Sequence, residues 1–386
     1  MSNEALPPGS RVGVFGGGQL GRMFCQAARR LGYETHVYTN HANSPAGQVA
    51  DHEHVGSYTD LNRVAEFARR IEAATLEFEN LPSDAIAHAE QYTTVRPSHT
   101  VLRTAQHRLR EKQFLNGCGA PVGPFAEVNS LEELRSAASE IGLPAVLKTS
   151  QMGYDGKGQY LLKSERQLEE AWQALGPGEC LLEGFVEFSR EVSVIVARGQ
   201  DGQCAYYGPI ENSHSNHILD VSVYPAPAST QGVEARAGEI AKLVAGSLDL
   251  VGLVCVEMFE MPDGQLLVNE LAPRPHNSGH LTIEGCETSQ FEQQARVLCG
   301  LPLGSVEVVR PSAMANLLGE RWFTPEGSLR EPNWERAEEQ GAAVHLYGKD
   351  SPRPGRKMGH LTATAETSES ARDRVVQARE ELAVCD

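Results

Sequence analysis

Residues 254–271 read VCVEMFEMPDGQLLVNEL, two alternating apolar runs joined by Pro262-Asp263-Gly264. Asp-Gly between such runs predicts a β-hairpin with a two-residue turn. That turn would place Glu257 directly opposite Glu270, with Cβ atoms about 4.5–5.5 Å apart. Two facing carboxylates repel each other unless a cation lies between them, which predicts a Mg²⁺ site there, with Mn²⁺ as an alternative ion. A longer turn would shift the register, and two acids on a solvated hairpin face are the alternative interpretation.

The loop that follows the hairpin is rich in hydrogen-bond donors. Residues 272–280 read APRPHNSGH, so Arg274, His276 and Asn277 come directly after the second strand. Donors beside a divalent cation suit a small oxyanion such as a carboxylate or an acyl phosphate. Each of these residue types is common in loops, and it is their position next to Glu270 that indicates a site.

A lysine at the end of a predicted strand precedes a glycine-rich loop. Val146-Leu147-Lys148 predicts the strand, and residues 153–158 read GYDGKG. Backbone amides, a fixed cation at Lys148 and mobile glycines can together close over a polyphosphate. The loop does not match the GxxxxGK[ST] pattern, and a plain surface loop explains it equally well.

The first hundred residues alternate short apolar runs with helical patterns, which predicts a doubly wound parallel sheet. Residues 11–15 (RVGVF) predict a strand, and residues 16–21 (GGGQLG) satisfy GxGxxG before a helix at 21–31. Glycines there let backbone amides approach an anion at a helix N-terminus, although a tight turn alone also explains them. A dinucleotide site needs in addition an acid after the second strand, where Thr39 and Asn40 stand instead.

A basic segment lies near the C-terminus. Residues 349–357 read KDSPRPGRK, with four cations in nine positions after a predicted strand at 343–347. In a chain of formal net charge −17 such a cluster suits a phosphomonoester. A solvated basic turn is an equally good explanation.

Composition excludes several classes of protein. The 386 residues contain 51 acidic and 34 basic residues, and a surface that acidic repels nucleic acid. No apolar run is long enough for a membrane span, and residues 1–10 lack the pattern of a signal peptide. The eight cysteines form no CxxC pair, which indicates reduced thiols in the cytoplasm. His52 and His54 stand two apart, but no further Cys or His cluster in the sequence completes a metal site, so we interpret them as solvated or structural.

Changes of pattern divide the chain into three predicted units. The first spans residues 1–104 and is followed by a polar helix at 101–116 and a breaker cluster at 117–124. Shorter elements predict a small α+β unit at 105–190, and antiparallel strands predict a mixed α+β unit at 191–386. The predicted fold class is therefore α/β and α+β.

Taken together, the motifs resemble the N5-carboxyaminoimidazole ribonucleotide synthase family of ATP-grasp ligases, enzymes of bacterial and fungal purine biosynthesis. The strings that carry the resemblance are GGGQLGRM at 16–23, EFENLP at 77–82, GYDGKG at 153–158, NELAPRPHNSGH at 269–280 and PGRKMGHL at 354–361. The resemblance implies an ATP-grasp fold with an N-terminal Rossmann-like domain, a small lid domain and a large domain that carries a C-terminal phosphate-binding part. It also implies a homodimer.

The resemblance implies a role for each matching position. The positions implied to bind ATP are Arg108, Lys148, Gly153, Tyr154, Asp155, Gly156, Lys157, Gly158, Glu183, Val186, Glu191, His214, Asn269 and Glu270. The positions implied to bind 5-aminoimidazole ribonucleotide are Gln19, Leu20, Glu77, Tyr154, Asp155, Lys349 and Arg356. The implied catalytic positions are Asp155, Lys157, Arg274, His276 and Asn277. Among these, Arg274, His276 and Asn277 would hold bicarbonate and then carboxyphosphate, and Asp155 is the hypothesised proton acceptor.

The implied reaction consumes ATP, bicarbonate and 5-aminoimidazole ribonucleotide, and it forms the N5-carboxylated ribonucleotide through carboxyphosphate. One alternative is a formate-dependent glycinamide ribonucleotide transformylase of the same superfamily. A dinucleotide-dependent oxidoreductase would instead bind NADH at residues 16–21. A non-catalytic nucleotide sensor would bind ATP without metal-dependent ADP release, and the paired acids Glu257 and Glu270 speak against it.

Overall fold

The computed structural model describes residues 4–151, 158–176, 178–227 and 231–382. Its first part is a parallel sheet in the order β3-β2-β1-β4-β5. In strand β1, Val12 and Val14 pack in one hydrophobic core and Phe15 packs in another. Both faces of the sheet are therefore covered, and the predicted doubly wound sheet is confirmed. The strands are β1 (Arg11–Phe15), β2 (Glu34–Thr39), β3 (His52–Val55), β4 (Ala73–Leu76) and β5 (Thr94–Val95). The helices are α1 (Gln19–Arg30), α2 (Leu61–Ala68), α3 (Ser83–Ala89), α4 (His99–Ala105) and α5 (Arg108–Gly117).

Helices α4 and α5 replace the single helix predicted at 101–116. The chain breaks at Gln106 and His107, where the His107 side chain accepts a hydrogen bond from the amide of Arg110 and so caps α5. The side-chain amide of Gln106 donates to the Glu79 carbonyl at 2.5 Å. This contact joins residues that are far apart in the sequence, so helical periodicity cannot predict it. The break places Arg108 at the first turn of α5.

The middle of the chain is the small α+β unit that the sequence predicts. Its antiparallel sheet has the order β6-β9-β7-β8, and Leu134, Leu147 and Leu182 are buried in its core. The strands are β6 (Phe125–Val128), β7 (Ala145–Thr149), β8 (Gln159–Leu162) and β9 (Cys180–Gly184), and the helices are α6 (Leu131–Ile141) and α7 (Leu168–Leu175).

The rest of the chain builds one antiparallel sheet in the order β14-β13-β10-β11-β12-β15-β17-β16. The first strands pack against α8, and the last strands pack against α11 and α12. Its strands are β10 (Arg190–Arg198), β11 (Cys204–Ser215), β12 (Ile218–Tyr224), β13 (Gly252–Glu260), β14 (Leu266–Ala272), β15 (Ser312–Leu318), β16 (Ala342–Leu346) and β17 (Lys357–Thr364). Its helices are α8 (Gln231–Ser247), α9 (Thr282–Gly285), α10 (Gln290–Cys299), α11 (Trp334–Glu339) and α12 (Ser368–Glu381). Among the described residues, no helix combines the length and the apolar character needed to cross a membrane.

The turn between β13 and β14 differs from the predicted two-residue turn. The Met261 amide donates to the Gln265 carbonyl at 2.8 Å, which closes a three-residue loop. Gly264 ends that loop with a φ of +81°, the left-handed conformation in which three-residue hairpin loops commonly finish. The prediction of a two-residue turn is therefore wrong.

A β-bulge compensates for the longer turn. The three-residue loop shifts the register by one position, so that Glu260 lies opposite Leu266. Asn269 is the extra residue of the bulge, and beyond it Glu257 lies opposite Glu270. The predicted pairing of these two glutamates is confirmed, because the bulge cancels the shift that the loop introduces.

Candidate functional site

A cleft of about 890 Å³ lies between the middle unit, helix α5 and the β13–β14 hairpin. Many of the predicted site residues line this one cleft, although their positions in the sequence span more than 160 residues. The predicted residues that line it are Arg108, Lys148, Glu183, Val186, Glu191, His214, Glu257, Asn269, Glu270, Arg274, His276 and Asn277.

Two lysines meet at Glu183 on one wall of the cleft. Lys148, from the end of β7, forms an ion pair with Glu183, and Lys112 Nζ lies 2.8 Å from Glu183 Oε1. Burial alone would raise the pKa of the Glu183 carboxyl, but the two ammonium groups outweigh it and hold that pKa at about 2. The wall therefore carries a net positive charge toward the cleft, which favours a polyphosphate.

The foot of the glycine-rich loop is tied to helix α5. Arg108 donates from its backbone amide to the Ser150 carbonyl at 2.9 Å and from Nη1 to the Thr149 carbonyl at 2.8 Å. The Thr149 amide donates to the Gly158 carbonyl at 2.9 Å, which brings the two ends of the loop together. The predicted loop residues Gly153, Tyr154, Asp155, Gly156 and Lys157 lie outside the described residues.

The facing glutamates form the floor of the cleft. His276 Nε2 lies 3.0 Å from Glu257 Oε1, whereas the side chain of Glu270 is open to the cleft. Burial would raise the pKa of Glu257, but His276 and other cations hold it well below its usual range. The enclosing walls and the charge of Glu257 raise the pKa of Glu270. The carboxylates of Glu257 and Glu270 therefore repel each other at the floor of the cleft.

The donor-rich loop after β14 closes one end of the floor. Arg274 forms an ion pair through Nε with Glu79. Burial would raise the pKa of the Glu79 carboxyl, but the Arg274 guanidinium outweighs it and holds that pKa at about 2. His276 Nδ1 lies 2.8 Å from Ser278 Oγ, which fixes the ring. Asn277 is buried, and neither its Nδ2 nor its Oδ1 has a hydrogen-bond partner among the described residues. An unsatisfied amide in a polar cleft indicates a ligand position.

The far end of the cleft combines an ion pair with a flat apolar surface. His214 Nδ1 lies 2.8 Å from Glu191 Oε2. Burial lowers the pKa of His214, but the Glu191 charge more than offsets it, so the net shift is upward. Phe188 and Phe259 stack near Val186 with ring centroids 4.5 Å apart and planes at 9°. Stacked aromatic rings beside polar groups suit a purine base.

The glycine-rich turn after β1 is occupied differently from the prediction. The buried carboxylate of Glu77 accepts from the amides of Gly18 at 2.5 Å and Gly21 at 2.9 Å. Burial raises the pKa of Glu77, and the two amide hydrogen bonds oppose that shift. The predicted external anion at these amides is therefore wrong, because a carboxylate of the same chain already fills the helix N-terminus.

The predicted ribonucleotide-binding residues gather where this turn meets the basic segment. Gln19 begins α1 and is half-buried, whereas the side chain of Leu20 is buried in an apolar cluster. Lys349 Nζ donates to the Lys357 carbonyl at 2.6 Å, and its charge acts on Glu77. Arg356 donates from Nη1 to the Ser351 carbonyl at 2.7 Å and is half-buried in the loop.

Gly16 gives a direct test of this turn. Its φ is +112°, and a Cβ there would lie 2.1 Å from Glu77 Cγ. We expect Gly16→Ala to lower the free energy of unfolding by about 2–4 kcal/mol, since strain and overpacking add. Gly117→Ala is the control, because no atom lies within 4 Å of its Cβ position, and its effect should stay within about 1 kcal/mol. Equal urea midpoints for the two variants would contradict the role assigned to this turn.

The structure brings in charged residues that the sequence analysis missed. Glu79 holds Arg274, Lys112 holds Glu183, and Glu111 is a buried carboxyl whose pKa is raised well above its usual range by burial and by Glu270. The adjacent Glu111 and Lys112 were part of a helix interpreted as polar. The sequence does not indicate that these two charged residues are buried, because the groups that they contact lie on β9 and β14.

Three models of known families match successive parts of the chain. Residues 10–106 match the ribonucleotide synthetase preATP-grasp domain, residues 113–291 match the ATP-grasp domain, and residues 312–374 match the phosphoribosylaminoimidazole carboxylase C-terminal domain. With the cleft and its cation-lined wall, these matches define the class: the protein is an ATP-grasp ligase.

Individual relatives narrow the class further. The chain is 43% identical over 362 residues to the N5-carboxyaminoimidazole ribonucleotide synthase of Bacillus subtilis (strain 168), which covers 94% of this chain and 93% of that protein. The crystal structure of the Thermus thermophilus synthetase superposes with a TM-score of 0.88 at 39% identity, covering 97% and 99%. The Aspergillus clavatus synthase in complex with ADP and 5-aminoimidazole ribonucleotide superposes with a TM-score of 0.87 at 31% identity, covering 97% and 98%. The chain belongs to the N5-carboxyaminoimidazole ribonucleotide synthase family.

Proposed function

We propose that this ligase uses ATP and bicarbonate to carboxylate the exocyclic amine of 5-aminoimidazole ribonucleotide, a step of purine biosynthesis. ADP and phosphate are the other products. The observation that carries the proposal is the meeting of three groups in one cleft. These are the facing pair Glu257 and Glu270, the donor loop around Arg274, and the cationic wall at Lys148. The family relationship supports the same reaction, and it does not favour the formate-dependent transformylase.

ATP would lie along the cationic wall. Lys148 would contact the phosphates, with Arg108 at the foot of the loop and the loop from Gly153 to Gly158 closing over them. The base would lie against Phe188 and Phe259, near Val186. The other proposed ATP contacts are Glu183, Glu191, His214, Asn269 and Glu270.

A divalent cation fits the floor of this cleft. Two facing carboxylates leave a repulsion that a cation would relieve, and Asn269, the extra residue of the bulge, lines the same cleft. The unpartnered Asn277 amide lies in the same cleft. We propose that Glu257 and Glu270 hold Mg²⁺, which would neutralise charge on the transferring phosphoryl group.

Bicarbonate would bind at the donor loop. It is a poor electrophile because it is anionic and lacks a good leaving group, and phosphorylation by ATP gives carboxyphosphate with phosphate as the leaving group. Arg274 presents its guanidinium from a position fixed by Glu79, and His276 is fixed by Glu257 and Ser278. Donors fixed in this way stabilise developing negative charge without reorganising. Lys148 and Lys157 would neutralise the phosphoryl group as it transfers.

The ribonucleotide would lie between the glycine-rich turn and the basic segment. Its phosphate would contact Lys349 and Arg356, and its base would lie toward Gln19 and Glu77. Because the Leu20 side chain is buried, its contact would come from the backbone. Tyr154 and Asp155 would reach the same substrate from the loop.

The pH dependence of ribonucleotide use tests Lys349. Burial lowers the pKa of this ammonium to about 8, with Arg356 adding to the shift. Above that pH the free enzyme loses the cation, so we expect kcat/KM for the ribonucleotide to fall as pH rises through about 8. Lys349→Arg should remove this inflection, since an arginine stays charged. An unchanged pH profile in that variant would remove Lys349 from the phosphate site.

Asp155 is the proposed acceptor of the proton that the amine loses when it attacks. Asp155→Asn keeps the size of the side chain and removes its basicity, so turnover should fall by about 10²–10⁴-fold. Turnover equal to that of the unmodified enzyme would rule this role out.

ADP release distinguishes the proposed reaction from its rivals. One sample contains Mg-ATP, bicarbonate and 5-aminoimidazole ribonucleotide, a second omits the ribonucleotide, and a third contains formate and glycinamide ribonucleotide. We expect ADP only in the first sample. ADP only in the third would assign the transformylase reaction, and ADP in none would refute both.

Two further proposals concern setting and assembly. The seven cysteines within the described residues are free thiols, which supports a reducing compartment such as the cytoplasm. The homodimer stays a prediction from the resemblance, and sedimentation at micromolar concentration would test it.

A further inference from the structure

A cluster of histidines lies on one face of the N-terminal sheet, at its β3 edge. Glu34 and His36 stand two apart on β2, and His52 and His54 stand two apart on β3. The parallel register places His36 beside His52. Since strand side chains alternate, all four residues share one face. The sequence alone left His52 and His54 without a completing ligand, and the neighbouring strand supplies it.

Three of these side chains converge on one point. Glu34 Oε1 lies 3.0 Å from His36 Nε2 and 3.2 Å from His52 Nε2, and the three atoms lie within 4.8 Å of one another. Ligands bound tetrahedrally to Zn²⁺ at about 2.0–2.1 Å stand about 3.3 Å apart. Two of the three separations are already close to that value.

His54 sets the orientation of His36. His36 Nδ1 lies 3.0 Å from His54 Nε2, so one of these nitrogens donates to the other. When His54 is the donor, His36 can donate from Nε2 to Glu34, which lies within hydrogen-bond distance. When His36 is the donor, its Nε2 lone pair faces the carboxylate of Glu34, and a cation between them would stabilise that arrangement. A ligating histidine commonly donates its other ring N–H to such an outer partner.

The cluster combines a fixed ligand with an accessible opening. The His36 side chain is only 7% exposed, whereas that of His52 is 55% exposed, which leaves a path for an ion. Arg11 stands near Glu34, but it forms an ion pair with Glu72 at 2.5 Å. Glu34 and His52 begin their strands, whereas the glycine-rich turn follows the carboxyl end of β1, so this cluster lies at the opposite end of the sheet from the ligase site.

We propose that Glu34, His36 and His52 bind one divalent transition-metal ion of the Zn²⁺ type, with water as the fourth ligand and His54 orienting His36. Two imidazoles and one carboxylate suit Zn²⁺ or Co²⁺ rather than Mg²⁺, which prefers oxygen ligands. The ion would join the edge strand β3, which has one neighbour in the sheet, to β2. The site is separate from the proposed ligase reaction and does not depend on it.

Co²⁺ titration of the untagged full-length protein tests this site. The protein is first saturated with Mg²⁺ and ADP, so that the carboxylates of the ligase cleft are occupied. We expect one equivalent of Co²⁺ to bind with the visible bands of four-coordinate cobalt. His52→Ala and Glu34→Gln should weaken binding at least about 10-fold, and His54→Ala should weaken it by about 10-fold. His52 and Glu34 are both accessible, so these variants should keep the circular dichroism spectrum of the parent.

His41→Ala is the matched control, because His41 is exposed just beyond β2 and hydrogen-bonds to Asn40 instead. It should bind Co²⁺ with the affinity of the parent. Absence of binding in the parent, full affinity in His52→Ala, or the thiolate charge-transfer bands of a cysteine site would each overturn the proposal.

Discussion

Replacing Glu270 by glutamine is expected to lower kcat by about 10²–10³-fold and to leave the metal-free protein at least as stable as the parent. The loss follows from removing half of the proposed cation site, because such an ion contributes several kcal/mol to the transition state. The stability follows from the facing pair itself. The charge of Glu257 raises the pKa of the facing Glu270 carboxyl, so the neutral amide of Glu270→Gln removes an unfavourable pair of charges.

Calorimetry with and without Mg-ADP separates these two effects. The unfolding midpoint of the parent should rise when Mg-ADP is added, and that of Glu270→Gln should rise much less, since the site that Mg²⁺ would share with the nucleotide is incomplete. Glu239→Gln is the control, because Glu239 is 69% exposed on α8 and pairs only with Arg236 among the described residues. If Glu270→Gln were less stable than the parent without metal and still active, that result would contradict the assignment of Glu257 and Glu270 as a cation site.

Arg274→Lys is expected to lower kcat/KM for bicarbonate by about 10²–10³-fold while changing KM for ATP little. The lysine keeps the charge, but it loses the planar fork that can hold Glu79 and an oxyanion at the same time. Steady-state kinetics with bicarbonate as the varied substrate measures the effect. The informative readout is a fall in kcat/KM for bicarbonate without a matching change in KM for ATP, because a general loss of folding would affect both constants.

Arg236→Lys serves as the matched control for this substitution. Arg236 is 59% exposed and forms only a surface pair with Glu239 among the described residues, so its replacement should leave both constants unchanged. A bicarbonate dependence of Arg274→Lys equal to that of the parent would place the oxyanion elsewhere.

The hairpin shows how far sequence reasoning reaches. Alternation in residues 254–271 predicted both strands, because period-two patterning reports directly which side chains share a face, and the assumed two-residue turn predicted the Glu257–Glu270 pair. The turn itself was predicted wrongly. Asp263-Gly264 is compatible with a two-residue or a three-residue loop, and the compensating bulge at Asn269 depends on packing that a local pattern does not encode.

The sequence could not predict which residues from distant segments of the chain contact each other. The Gly16–Gly21 turn carried the pattern of an anion site, but the carboxylate that fills it comes from Glu77, after the fourth strand. In the same way, the sequence around His52 and His54 does not reveal His36, which only strand pairing brings alongside. Residue types and spacing predicted which segments carry chemistry, whereas tertiary structure determines which groups neutralise one another.

One isotope experiment tests the central claim, that ATP activates bicarbonate for transfer to the ribonucleotide amine. The enzyme is given Mg-ATP, 5-aminoimidazole ribonucleotide and bicarbonate labelled with ¹³C and ¹⁸O. If carboxyphosphate forms, the phosphate released keeps the bridging oxygen of bicarbonate, because the amine attacks carbon and the C–O bond breaks. The account predicts one ¹⁸O in each phosphate and one ¹³C carbamate for each ADP. Phosphate without ¹⁸O, or ADP formed without the labelled carbamate, would contradict it.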